Sequence, residues 1–449
     1  MAKFQDLAQR LSVDRAIGYA LAMRLWQVPS ALVTTLLITL NFDLKTQGVY
    51  VTLLTVIGIQ SLADSGLLNV LMHAVSHEWS RLRLDRNGFV RGPRRIRRRV
   101  AAIARFGLIW FVLAGLALIA VGTAIGVGLF FSQGVLQSVI YPLGVGMLFA
   151  GCSLTLAPLI AILEGCNQVA HVNRYRLMQA ITGSIVVWSC LAGGANLWTP
   201  VFAVLTQFVW ECCLIGGRYR RLFCQLYRTA AGGFDWKTEI LPLQWRIGLQ
   251  SAVKFLAFFP MIPTLFAWQS PEIAGRTGMT WQILNSLLLV SYAWIRTRAP
   301  EFGSLIAAGK RRESNRAFFK ATIGSTLLLV AAVSCFWMGL VILHVSPFEL
   351  GAKVAGRFLD PSTTLLFAVA MIPLHLTQCF AIHIRAQKMD PIWRITVVGN
   401  LVLGVSIFIA ASQIGVDAIG FAMLLTFAVV MCLVFMMWVK YDRLLAASR

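Results

Sequence analysis

Apolar residues in this chain come in long, nearly unbroken runs, without the alternation that marks a half-buried strand. The runs are about 20 residues long, the length a helix needs to cross the hydrocarbon core of a bilayer. They fall at 16–40, 48–74, 106–131, 139–163, 177–197, 201–217, 247–268, 278–295, 321–345, 363–384, 395–412 and 418–438. In lipid every backbone N–H and C=O must be paired, so an open sheet cannot span it and a helix can. The pattern therefore predicts an all-α polytopic membrane protein with about 12 transmembrane helices.

Composition agrees. Of 449 residues, 58% are hydrophobic and 13% charged, against about 25% charged in a soluble domain. The net charge of +22 would suggest nucleic acid in a soluble protein. Here its placement points elsewhere, since no recognition module interrupts the spans. Of the 40 Lys and Arg, 34 fall on one side of the predicted membrane. Four lie on the other side (Lys45, Arg276, Lys353 and Arg357), and Arg24 and Lys254 lie within spans. Excess Lys and Arg mark the cytoplasmic side. Both termini are expected there, in an inner membrane whose anionic headgroups attract the basic loops. Lys3, Arg10 and Arg15 precede a first apolar run too long for a cleavable signal.

The basic loops 75–105 and 296–320 hold equivalent places if the chain is two halves of six spans. That layout gives an N-terminal lobe 1–217, a basic linker 218–246 and a C-terminal lobe 247–449. A second match links the halves. Arg24 precedes Pro29 in the first span, and Lys254 precedes Pro260 and Pro263 in the seventh. Proline removes a helical hydrogen bond and bends its helix. Interrupted helices at matching places in two repeats are a pointer to a transport site.

Few residues can carry chemistry. Arg24 lies about eight residues inside its span, roughly 12 Å deep, with Lys254 and Asp64 at a similar depth. A charge near the bilayer centre costs about 2.5–3.5 kcal/mol on insertion scales, so it should face a cavity or a partner. Arg24 and Lys254 are thus candidates for binding an anionic substrate, with Asp64 as counter-ion or ion-coupling group. A structural Arg24–Asp64 pair and a snorkelling Lys254 are the alternative. Arg296 and Arg298 sit at the inner end of span eight, as topology determinants or as lining of the inner mouth. Glu211 reads as interfacial. His73, His77 and Glu78 have helical spacing but lack the HExxH order, and His171, His344, His375 and His383 are isolated. No CxxC pair occurs among the nine cysteines. No catalytic or metal site is expected. The longest outer loop is 346–362, and DxD, GxSxG and Walker A motifs do not occur, which speaks against an enzyme.

Three stretches carry a resemblance: LEGCNQVAHVNRYRLMQAITG from Leu163, LPLQWRIGLQ from Leu241, and AGRTGMTWQILNSLLLVSYAWIRTRAPEFGSLIAAGKR from Ala274. Each is similar to the polysaccharide-transport branch of the multidrug/oligosaccharidyl-lipid/polysaccharide flippase superfamily. The resemblance implies two six-helix lobes around a central cavity, with spans one and seven bent beside a lateral portal. It also implies alternating-access flipping of an undecaprenyl-pyrophosphate-linked oligosaccharide, an O-antigen or exopolysaccharide repeat unit, from inner to outer leaflet. No cofactor is implied beyond a coupling proton or sodium ion, and the implied protein partners are a polysaccharide polymerase and glycosyltransferases. Two alternatives stand beside it. Asp85-Arg86-Asn87-Gly88 is similar to a loop motif of major facilitator carriers, with Arg81 in place of its leading glycine and Phe89-Val90 in place of its basic pair. A non-transporting scaffold in a polysaccharide synthesis complex is the other.

Overall fold

The computed structural model describes residues 15–447, apart from 65, 86, 231, 240 and 388–390. The apolar runs fold as helices. α1 (Arg15–Asn41) is followed by a second span in three pieces, α2 (Leu44–Ile57), α3 (Gln60–Asp64) and α4 (Leu67–Trp79). A two-stranded hairpin, β1 (Arg83–Leu84) and β2 (Val90–Arg91), precedes α5 (Arg94–Ser132), α6 (Leu136–Gly165), α7 (Val169–Ala192) and α8 (Thr199–Cys212). α8 runs on as a π-turn, Cys213–Arg218, and then come α9 (Arg220–Arg228) and the single turn α10 (Trp236–Glu239). α11 (Leu241–Phe258), α12 (Met261–Trp268), α13 (Pro271–Arg296), α14 (Ala299–Ala307), α15 (Arg311–Val345) and α16 (Glu349–Ala355) follow. α17 (Pro361–Arg385), α18 (Trp393–Ile409), a second π-turn (Ala410–Ile414) and α19 (Val416–Ala447) complete the chain.

Among the described residues, ten helical stretches are long and apolar enough to cross a membrane. α7 and α13 are the two further long helices, in the fifth and eighth places, and they are the more polar ones. α7 carries Asn173, Arg174, Arg176 and Gln179, and α13 carries Arg276, Gln282 and Asn285. With them the chain is a multi-pass membrane protein of twelve spans. Some helix ends follow local rules. Ser270 caps α13 by accepting from the Ile273 amide at 3.2 Å, with Pro271 in the first turn and Glu272 next to the positive end of the helix dipole. α5 stops at Gly134, whose φ of 67° is open to glycine at little cost.

The backbone forms two compact units. The first takes in the described residues up to Leu37 together with Leu53–Ala252, and the second takes in Ile38–Thr52 together with the chain from Val253 onward. In the first unit α5 and α6 pack along small residues. A Cβ on Gly115 would stand 2.8 Å from the Gly151 carbonyl oxygen, so only glycine lets these backbones approach. The basic loops fold against each other rather than lying free. Gln225 of α9 clamps Val90, accepting from its amide at 2.6 Å and donating to its carbonyl at 3.0 Å. Arg105 reaches the carbonyls of Tyr227 and Thr229 at 2.6 and 2.8 Å, satisfying the end of α9. Asp85, Asn87 and Gly88 belong to the hairpin turn. The Asp85 amide bonds the Phe89 carbonyl, and Gly88 takes a φ of 82°. Turn geometry is reason enough for these residue types.

In the second unit α15, α17 and α19 enclose an aromatic core around His383. Trp438 donates to its Nδ1 at 2.9 Å, and Ser314 lies 3.2 Å from its Nε2. The indole N–H can only donate, so Nδ1 accepts and the ring proton sits on Nε2. Phe318 stacks on the ring at 4.4 Å. About two turns back along α17, His375 Nε2 meets Ser325 at 3.0 Å and Cys379 at 3.4 Å. Of the histidines that look isolated in sequence, His375 and His383 are thus core residues. Arg357, counted above as an outer-loop charge, is buried at 8% exposure. It donates to Gln47 Oε1 at 3.2 Å, to the Thr39 carbonyl at 3.0 Å and to the Phe42 carbonyl.

Candidate functional site: cations and breaks in the spanning helices

Interruptions in the spanning helices come first, because they locate backbone groups that can face a substrate or ion. Pro260 separates α11 from α12, with Phe259 and Pro260 as the turn and Pro260 capping α12; Pro263 lies in the first turn beyond it. Pro29 sits inside α1, which is helical on both sides of it. In the first unit the interruption falls instead in the second span. α2 ends at Ile57, the chain turns at Gly58 and Ile59, α3 ends at Asp64, and Gly66 adopts a φ of 75° before α4. The backbone of Asp64 therefore lies at a helix break, while its side chain lies outside the described residues.

Arg24 is half-buried on α1, and its Nη1 donates to Gln27 Oε1 at 3.2 Å, one helical turn away. The same helix joins α7 through a polar seam. Trp26 donates to Ser184 at 3.1 Å, Ser30 and Ser184 share a hydrogen bond of 2.7 Å, and Trp188 donates to Thr34 at 3.1 Å. Ser184 and Trp188 are the residues α7 contributes to this seam.

Lys254 keeps exposed side-chain surface on α11. Arg385, at the end of α17, is the charged group that acts on it through space. Arg385 also acts on Tyr292 of α13, as does Arg296 one turn further on. In the second unit Arg385 thus lies within electrostatic reach of both Lys254 and Tyr292, and Arg296 within reach of Tyr292. Arg298 is engaged differently, in an exposed pair with Glu301 at 3.0 Å. Arg385 was missed in the sequence because it falls one residue past the predicted end of its span and counts there as a loop charge. Glu211, read as interfacial, is buried at 9% exposure and bonded to Ser153 and Gln207. Among the described residues no three His, Cys, Asp or Glu side chains gather as metal ligands.

No protein-family model matches the chain, and no curated protein matches it by sequence. Solved structures do match. A multidrug resistance MATE family transporter of the MOP superfamily, in its inward-facing conformation, aligns over 97% of this chain and 99% of its own. The TM-score is 0.73 and the identity 13%. The chain has the MATE fold. An outward-facing multidrug resistance MATE transporter aligns over 98% of both chains, with a TM-score of 0.60 and 14% identity. A MOP superfamily transporter from Pyrococcus furiosus, for which a reverse polarity of the binding pocket suggests a different function, aligns over 97% of this chain and 96% of its own. Its TM-score is 0.63 and its identity 13%. At such identities the likeness is one of fold. It decides between the two carrier folds weighed above, against the major facilitator plan, and it accounts for the twelve spans and the two units.

Proposed function

We propose that this protein is a secondary transporter that moves a lipid-linked anionic oligosaccharide, carried on undecaprenyl pyrophosphate, from the inner to the outer leaflet by alternating access. The solved structures that share its fold are transporters, and they occur in inward-facing and outward-facing forms. The observation that carries the choice of substrate is that Arg385 lies within electrostatic reach of Lys254 in the second unit, with Arg296 and Arg385 both acting on Tyr292. Fixed cations match a pyrophosphate and would repel a cationic drug. Arg24 supplies the deep cation of the first unit, where its planar fork can grip two phosphate oxygens, while Lys254 acts as a point charge. Asp64, at the break in the second span, is the counter-ion or coupling group, and the coupling ion is a proton or sodium. In this reading the protein sits in an inner membrane with both termini cytoplasmic, and it hands its cargo to a polysaccharide polymerase after glycosyltransferases have built it.

The test is complementation. In cells that lack this chain, wild type restores surface polysaccharide, Arg24→Ala does not, and Arg24→Lys restores part of it. Lys254→Ala is severely weakened. Normal surface polysaccharide from Arg24→Ala and Lys254→Ala at normal membrane levels would refute the cationic mechanism.

A further inference from the structure

The segments 75–105 and 218–230 hold 14 arginines, no lysine and two acids, Glu78 and Asp85. Lys and Arg serve a topology signal alike, so that signal leaves the choice of arginine open. Both acids are taken. Arg99 Nε holds Glu78 at 2.9 Å, and Arg91 Nη2 lies 3.4 Å from Asp85. Arg83, Arg94, Arg95, Arg98 and Arg220 are exposed, and among the described residues none of them has an acidic partner.

A folded support carries these guanidinium groups. In α9, Leu222, Phe223 and Leu226 are buried, while Arg220, Arg221 and Arg228 are exposed. Arg221 Nη1 donates to the Asn87 carbonyl at 3.2 Å, so α9 meets the hairpin turn. Val90 of the hairpin is buried between its two bonds to Gln225, and Phe89 and Arg91 on either side of it are exposed, as strand alternation requires. Arg83 and Arg91 stand directly opposite each other in the register. Like charges at such a pair destabilise a hairpin, and of the two only Arg91 pairs with Asp85. Five more arginines, between positions 94 and 99, occupy the first turns of α5, where the helix dipole disfavours cations. The support is thus held by its apolar side chains and by Gln225 against the repulsion of its own charges. A bound anion relieves that repulsion.

The neighbours of the cations indicate which anion. Guanidinium forks match phosphate oxygens two at a time. Phe89, exposed at 38%, sets an apolar ring among the cations. A free phosphate has no use for it, whereas the boundary between headgroups and acyl chains does. α5 runs unbroken from Arg94 to Ser132, and Phe106 to Ser132 carry no charge. The arginines therefore stand on the same helix as a membrane span, next to its apolar length, and basic clusters in that place attract anionic lipid. We propose that the hairpin, α9 and the start of α5 form a preformed binding surface for the phosphate headgroups of anionic phospholipids, with Arg83, Arg220 and Arg94 each holding phosphate. A diffuse attraction would depend only on how much charge is present. This surface depends on which arginines are present, and it does not rest on the substrate proposed above.

The experiment is native mass spectrometry of the full chain in detergent, titrated with phosphatidylglycerol and, separately, with phosphatidylcholine. Wild type should take up phosphatidylglycerol in preference, and equal uptake of the two overturns the proposal. The triple variant Arg83→Gln, Arg94→Gln, Arg220→Gln should lose affinity for phosphatidylglycerol by about tenfold or more. A control triple on α15, Arg312→Gln, Arg316→Gln, Lys320→Gln, removes as much charge from other exposed positions and should bind nearly as wild type does. Equal losses in the two triples mean diffuse attraction and overturn the surface. Should the glutamine triple fail to fold, Arg83→Lys, Arg94→Lys, Arg220→Lys keeps every charge and removes only the forks; weakened binding supports the surface and unchanged binding overturns it. Displacement of phosphatidylglycerol by millimolar inorganic phosphate, or by a short RNA in preference to the lipid, would reveal a small-anion or nucleic-acid surface and overturn the assignment to lipid.

Discussion

Arg357 offers a direct check on the packing of the second unit. It sits between α16 and α17, yet its side chain is buried and ties down residues 38–52, the turn that joins the first two spans. Its guanidinium donates to Gln47 Oε1 and to the carbonyls of Thr39 and Phe42, while Gln47 Nε2 donates back to the Arg357 carbonyl at 3.0 Å. Burial pulls its pKa down, with the Asp43 charge partly opposing this, and a guanidinium stays protonated in proteins. Arg357→Ala removes three donors from buried acceptors. At about 1–3 kcal/mol for each unsatisfied group, and less than additively, the loss is about 2–5 kcal/mol. At roughly 2 °C per kcal/mol for a large chain, the Tm should fall by about 4–10 °C. Arg357→Lys keeps the charge but not the fork and should lose about half as much. Thermal unfolding of the purified protein in detergent, followed by tryptophan fluorescence, measures this. An unchanged Tm in Arg357→Ala would show that the network carries no stability.

Two further predictions concern packing and charge. Gly275→Ala would place a Cβ 2.8 Å from the Gly48 amide nitrogen, backbone against backbone, and should cost about 1–3 kcal/mol. Gly183→Ala on α7 meets nothing within 4 Å and should be neutral or stabilising by up to about 1 kcal/mol, with detergent melting curves separating the two. His171 accepts from Arg218 at 3.0 Å, and burial, then the charges of Arg218 and Arg174, hold its pKa below the ordinary 6.5. The folded state favours the neutral ring, so this contribution is complete above pH 6.5 and is lost as pH falls through the folded value. NMR of the ring should show a depressed pKa that rises toward 6.5 in Arg218→Ala, and an unmoved pKa would discount the charge contribution.

The span layout was legible because bilayer thickness writes itself into run length. Each of the twelve predicted runs overlaps an observed helix, including α7 and α13. What periodicity cannot supply is the identity of a distant partner. Arg357 looks like a loop charge until residues 38–52 close over it, and Glu211 looks interfacial until Ser153, 58 positions away, comes within 2.5 Å. The prolines predicted matched bends. The break in the first unit lies in the second span, where Gly58 and Gly66 interrupt the helix around Asp64, and a glycine break leaves a weaker mark in sequence than a proline. The basic loops read in sequence as a topology signal, and an amphipathic nine-residue helix and a hairpin dock there through Gln225 and Arg105. Arg24, Lys254 and Arg296 stand out in the sequence by position, whereas the influence of Arg385 on Lys254 within the second unit needs three dimensions.

The central claim is that this chain carries a lipid-linked anionic sugar across a bilayer on fixed cations. Reconstitution into liposomes with undecaprenyl-pyrophosphate-linked oligosaccharide tests it most directly, with external glycosidase reporting which leaflet holds the sugar. The account predicts that wild type moves the sugar between leaflets, that Arg24→Ala abolishes the movement and that Lys254→Ala severely weakens it, all three proteins being folded. Wild-type rates in both variants, or no movement of the sugar by the folded wild-type protein, would contradict it.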